Sequence, residues 1–213
     1  MTVTICWSVK GGTGTTVAVA ALALHARTST TLVDLDGDLP AVLGVDEPDG
    51  QGLTDWFAAD VAAAAIGDLA LEVTDRVRLI ARGHGALPGD HHPRWERFGE
   101  WLAAVRSDVV IDAGTGELPG GLIAASPNGR RLLATRPCYL SLRRAARSAT
   151  RPDGIILIAE PGRRLRPRDV ETSVGAPIVA TFSLDPAVAR AVDSGLLTAG
   201  VPKPARREMR RAS

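Results

Sequence analysis

The chain is poor in the residues on which several functions depend. It has two cysteines, Cys6 and Cys138, and they form no paired motif, which excludes a disulfide framework and a thiolate metal site. Cys6 falls in an apolar run, where a thiol behaves as a small hydrophobe, and this usage fits a reducing cytoplasm. Four histidines show no metal spacing; His91 and His92 are adjacent and have no cysteine nearby. Long apolar runs are missing too. The longest, Val17 to Leu24, has eight residues, against the ~20 needed to span a bilayer. No basic-then-apolar leader of signal type is present, so the expectation is a cytoplasmic protein without a transmembrane segment. Lysine is the scarcest charge: of 25 basic residues only Lys10 and Lys203 are lysine.

What remains is ample for a core. A chain of 213 residues that is 45% hydrophobic reads as one globular domain, taken here as residues 1–202, followed by a basic tail over 203–213. The net charge of +1 conceals a split. Residues 1–129 carry 8 basic and 17 acidic side chains, and residues 130–213 carry 17 and 7. Either one face meets a partner, or the halves interleave and the charges mix.

Short aliphatic runs alternate with helical patterns. Strands are predicted over 2–9, 30–36, 77–83, 108–114, 130–137, 154–161 and 176–182. Helices are predicted over 16–26, 53–66, 92–106, 139–149 and 185–197. In 92–106, Trp95, Phe98, Trp101, Leu102 and Val105 recur at three- and four-residue steps; Asp185 can cap the last helix, with Pro186 at its first position. Strands apolar throughout and separated by helices predict an α/β fold: a mainly parallel sheet with helices on both faces. Ligands of such sheets sit at the strands' carboxyl ends, where the polar motifs lie.

The first motif is "VKGGTGTT", residues 9–16. Glycines let a strand-to-helix loop curl so that its N–H groups converge on phosphate oxygens, helped by the helix dipole. Gly11, Gly12 and Gly14 supply the curl, and the Thr16 hydroxyl is placed to ligate Mg²⁺. Against the full phosphate-loop signature, Val9 replaces the first glycine and Thr15 the lysine. The second motif is "TLVDLDGDLPAVLG" (31–44), and the third is "DVVIDAGTG" (108–116).

Together these motifs resemble the ParA/MinD family of ATPases, whose deviant phosphate loop reads K-G-G-x-G-K-[ST]. Within it the chain looks closest to the CpaE/TadZ pilus-localisation branch. The resemblance covers about residues 2–200, is specific in the first 44 and is looser later. It implies a P-loop NTPase, a Rossmann-like three-layer sandwich, that binds ATP and Mg²⁺. Lys10 matches the signature lysine that reaches across a nucleotide-sandwich homodimer, and Gly11, Gly12, Thr13, Gly14, Thr15 and Thr16 match the nucleotide-binding loop. Asp36 matches the carboxylate that orients the attacking water, with Asp34 its structural companion. Thr16, Asp36 and Asp112 match the Mg²⁺ site, partly through water. The family's base-reading asparagine is replaced by Glu160–Pro161.

Losing the in-cis lysine removes one charge-assisted contact, about 1.5–3 kcal/mol, or roughly ten- to several-hundred-fold in affinity. The backbone cradle and the Mg²⁺ residues remain, so weak binding and weak turnover are expected. The leading reading is a nucleotide-dependent dimeric positioning factor that recruits a protein partner. Two others stay open: a degenerate scaffold that binds its partner without ATP turnover, and a non-specific DNA-binding module driven by the basic half. Arg143, Arg144 and Arg147 on the predicted helix 139–149 could meet DNA or only solvent. The tail from Lys203 to Arg211 could contact phosphate backbone or anionic lipid, or stay solvated. Asp38 and Asp46 read as surface carboxylates.

Overall fold

Val3–Ser8 (β1) forms the middle of the sheet because its side chains are apolar on both faces: Ile5, Cys6 and Trp7 are fully buried, alternating between two cores. The computed structural model describes residues 1–47 and 51–199; the basic tail lies outside the described residues. β1 pairs in parallel with Asp108–Thr115 (β5) on one side and Arg130–Thr135 (β6) on the other. Beyond β5 come Thr30–Asp34 (β2) and Val77–Ile80 (β4), and beyond β6 come Gly154–Ala159 (β7) and Ile178–Ser183 (β8), all parallel. Ala70–Glu72 (β3) closes the β4 edge antiparallel, giving the order β3-β4-β2-β5-β1-β6-β7-β8.

Thr15–His25 (α1), Leu39–Leu43 (α2) and Pro186–Asp193 (α8) cover one face. Leu53–Ala58 (α3), Arg94–Ala104 (α4), Gly120–Ala125 (α5), Tyr139–Ala145 (α6) and Pro167–Val174 (α7) cover the other. The predicted α/β three-layer fold is thus the observed one. Its second layer holds an aromatic row in which Trp56, Phe57, Trp95, Phe98 and Trp101 meet at centroid distances of 4.7 to 5.9 Å. The periodic apolar positions of α4 supply three of these rings. α1 presents alanines to the sheet and so can lie close against it: Ala18, Ala20, Ala21 and Ala23 are all buried.

The predicted helix over 53–66 is instead two pieces. α3 ends at Ala58, Ala59 and Ala62 are extended, and a 3-10 turn runs over Ala63–Leu69. Alanine favours continuation, but tertiary bonds take the carbonyls a longer helix would use. Arg94 donates to Trp56 O and Val61 O at 2.7 Å each and stacks 3.8 Å over the Trp56 ring, while Trp56 Nε1 donates to Ala62 O. β3, α2, α5 and α7 were not predicted, and α6 stops four residues short of the predicted end. No helix among the described residues is long and apolar enough to cross a membrane.

In the sheet the two halves of the chain do not interleave. Strands β1 to β5 come from the acidic half and fill one side; β6, β7 and β8 come from the basic half and fill the other. The helices do interleave: α8, from the basic half, packs on α2 and sets Asp193 beside the acidic turn.

Candidate functional site

The carboxyl ends of β1, β2 and β5 are adjacent, so the loop after β1, the turn after β2 and the carboxylate of β5 converge. In the loop, Gly12 and Gly14 take φ of +69° and +97°, a region that favours glycine, with open space around each. Two of the loop's carbonyls take side-chain donors. Lys10 O accepts from Ser8 Oγ at 3.1 Å and Thr13 Oγ1 at 2.6 Å, and Thr13 O accepts from Arg136 Nε at 3.1 Å. Ser8 Oγ also meets Thr115 Oγ1 at 3.2 Å, fastening the loop to the end of β5. Gly14 starts α1 without any side-chain cap, which leaves the positive end of that helix open.

Three carboxylates follow, each in a different state. Asp34 is fully buried and accepts N–H bonds from Asp36 (3.0 Å), Gly37 (2.8 Å) and Leu39 (3.0 Å). It builds the turn; burial pushes its pKa up, against those three bonds. Asp36, at the apex, is exposed, and Arg82 Nη1 holds its carbonyl at 2.9 Å. Its carboxyl is also raised, by partial burial and then by Asp38, against Arg82. Gly114 has φ +67°, and a Cβ there would run into the Asp36 carboxylate, so glycine lets the turn approach β5.

Asp112 is fully buried in β5, beside Asp34 in register. Its Oδ1 accepts from Gly114 N at 3.0 Å, whereas its Oδ2 is buried without a partner. Burial pushes this carboxyl up to about 7; the Gly114 N–H and the Thr16 hydroxyl oppose the rise, and the charges of Asp34 and Asp36 add to it. A buried acceptor left open next to a threonine hydroxyl is an arrangement a cation completes. No group of three or more His, Cys, Asp or Glu among the described residues is arranged to cage a metal. A cation here would therefore share its shell with ligand oxygens and water.

The loop, the start of α1 and the turn at Asp36 border one cleft of about 530 Å³. Of the sequence-predicted residues, Gly12, Thr13, Gly14, Thr15, Thr16 and Asp36 line it, Lys10 and Gly11 lie on the loop outside its lining, and Asp112 is buried in β5, also outside the lining. Asp38, read as a plain surface carboxylate, is exposed and also lines the cleft, as does Asp193 at the end of α8. Asp193, Val192, Arg82 and Arg136 were missed. They come from elements far along the chain, and no local motif marks them. The lining contains three carboxylates and no cationic side chain. Glu160, in the place of the base-reading asparagine, is engaged by Arg163 at 2.8 Å.

No protein-family model matches the chain, and no curated protein matches it. Solved structures do. A MinD septum site-determining protein complexed with Mg-ADP from Pyrococcus horikoshii superposes with a TM-score of 0.74 at 22% identity, over 100% of this chain and 95% of that one. A ParA-family ATPase from Chlorobium tepidum gives 0.71 at 20% identity, over 98% and 97%. A plasmid partition protein from Borrelia burgdorferi bound to AMPPNP gives 0.69 at 15%, over 100% and 97%. The fold is the one these proteins share.

Proposed function

We propose that the cleft is an ATP site and that the chain is a cytoplasmic positioning factor of the ParA/MinD kind, nearest the CpaE/TadZ branch. ATP and Mg²⁺ close a homodimer through Lys10, and the dimer recruits a protein partner for chromosome, plasmid, septum or pilus-machinery placement. The observation that carries this reading is a cleft lined by a glycine-curled loop and an uncapped helix start, with the unpartnered Asp112 Oδ2 buried beside Thr16 of that lining. Similar folds with bound Mg-ADP and AMPPNP support it. Magnesium fits the residues present: Thr16 would hold it through its hydroxyl, and Asp112 and Asp36 would complete its shell, partly through water. When bound, it offsets charge on phosphate oxygens. Gly11 to Thr16 present the loop's N–H groups to the phosphates, and Asp36 orients the attacking water. Titration calorimetry tests the site: ATP with Mg²⁺ binds weakly, and absence of heat up to millimolar nucleotide removes the reading. Lys10→Ala abolishes nucleotide-dependent dimerisation in light scattering; a dimer indifferent to both ATP and this change refutes the sandwich.

One observation favours a second reading. A cleft with three carboxylates and no cation in its lining repels a polyphosphate, as a scaffold that has given up nucleotide would. The calorimetry separates the two. The exposed Arg143, Arg144 and Arg147 offer a face for DNA backbone as well; retention on DNA should fall steeply with added salt, and salt-insensitive retention would exclude phosphate contacts as its cause.

A further inference from the structure

A site for a polyphosphate needs positive charge, and the side chains facing this cleft supply none. Thr15, where the lysine would stand, is buried and too short to reach outward as a cation. A fixed positive charge is bonded to the loop's own backbone. Arg136 is the first residue beyond β6. The parallel pairing of Trp7 with Leu133, carried three residues on, brings it level with the start of the loop. It is half-buried, and its Nε donates to Thr13 O at 3.1 Å. Among the described residues no carboxylate lies within ion-pair distance of it. Arg144, in the last turn of α6, points Nη1 at Val9 O from 3.5 Å and is likewise without an ion pair among the described residues.

A half-buried guanidinium without a counter-ion is unfavourable unless something anionic completes it. Arginine keeps its charge at any working pH, so this cation is permanent. Its fork is also rigid: with Nε on a loop carbonyl, the charge is held against the loop. The carbonyl it takes belongs to Thr13, between the two glycines of positive φ, so the same bond braces the curl.

We propose that Arg136 is the in-cis cation of this loop, replacing the lysine absent at position 15, and that Arg144 reinforces it. Arg136 is a positioning residue. It acts through the loop, holding Gly12–Gly14 in the anion-accepting curl and adding positive potential behind it. Because the effect is electrostatic, it grows with ligand charge, so it favours a nucleoside triphosphate over a diphosphate. The inference rests on the nucleotide reading of the cleft.

The test is calorimetric titration of Mg-ATP and Mg-ADP into the full chain as wild type, R136Q, R136K, T15K and the T15K/R136Q double variant, with melting curves recorded for each. Glutamine keeps an N–H donor but removes the charge. We expect R136Q to weaken Mg-ATP about tenfold or more and Mg-ADP less, and to flatten the salt dependence of ATP binding. R136K should recover most of the loss, and T15K should restore binding in the R136Q background. Wild-type affinity in R136Q overturns the inference. So does an equal loss for ATP and ADP with unchanged salt dependence, which marks a structural prop alone. Wild type silent while T15K binds tightly also overturns it, and leaves the cradle intact. Silence in both wild type and T15K removes the nucleotide reading itself, and this inference with it.

Discussion

Asp112→Asn will make the chain more stable than wild type above neutral pH and leave it about equal near pH 4. The folded-state pKa of Asp112 is pushed up to about 7, chiefly by burial, from an ordinary value of 3.8. A carboxyl raised in the folded state binds its proton more tightly there than in the unfolded chain. Its stabilising contribution is fully present below about pH 4 and is lost as pH rises through about 7. A shift of this size corresponds to on the order of 4 kcal/mol. The amide has nearly the shape of the protonated acid and no charge to bury, so the loss does not occur in the variant. Denaturant unfolding at pH 4.5, 6 and 8 measures this: the variant minus wild-type difference should open progressively to several kcal/mol at pH 8. Parallel curves would show that Asp112 titrates normally and that its open oxygen is solvated. If the cleft holds magnesium nucleotide, adding both at pH 8 should narrow the gap by stabilising the wild type, since the carboxylate then has the partner it lacks.

The parts of the site that could be read from the sequence are local ones. The loop from Lys10 to Thr16, the turn at Asp36 and the strand bearing Asp112 each carry their chemistry within a few residues, and strand periodicity alone sets each at a carboxyl end; the sheet order makes those ends neighbours. The short helix α7 carried local signals as well, Pro167 at its first turn and Gly175 at its stop. Other elements could not be read because tertiary contacts decide them. The alanine-rich stretch after α3 breaks since Arg94, more than thirty residues away, takes its carbonyls. β3 is three residues long and exists as a strand through its pairing with β4. At the site the same divide holds: Arg82 and Arg136 reach Asp36 and Thr13 from strand ends 46 and 123 residues distant in sequence. Nothing in their own neighbourhoods announces this, though the scarcity of lysine made arginine the available cation.

Asp34→Ala should be the most damaging single change to the architecture of the site. The Asp34 carboxylate is fully buried and serves three N–H groups at 2.8 to 3.0 Å, and these bonds define the turn from Asp36 into α2. Alanine strips all three at once. A buried donor left without an acceptor costs about 1–3 kcal/mol. The Leu39 N–H is buried and loses the most, while those of Asp36 and Gly37 lie nearer the surface and regain water in part. Relief of the buried charge, which raises the Asp34 pKa, works in the opposite direction. The three lost bonds should still win, because deletion also leaves a void beside fully buried Leu39. A net loss of about 3–5 kcal/mol lowers Tm by roughly 6–20 °C for a chain of this size. Asp34→Asn should fall between, because its carbonyl can still accept from Asp36 and Gly37 while its amide N–H₂ faces the Leu39 N–H, donor against donor. The order wild type, Asn, Ala in thermal melts is the expected result. A melt of the alanine variant within 2 °C of wild type would mean that the turn is held by other bonds, and that Asp36 reaches the cleft without Asp34.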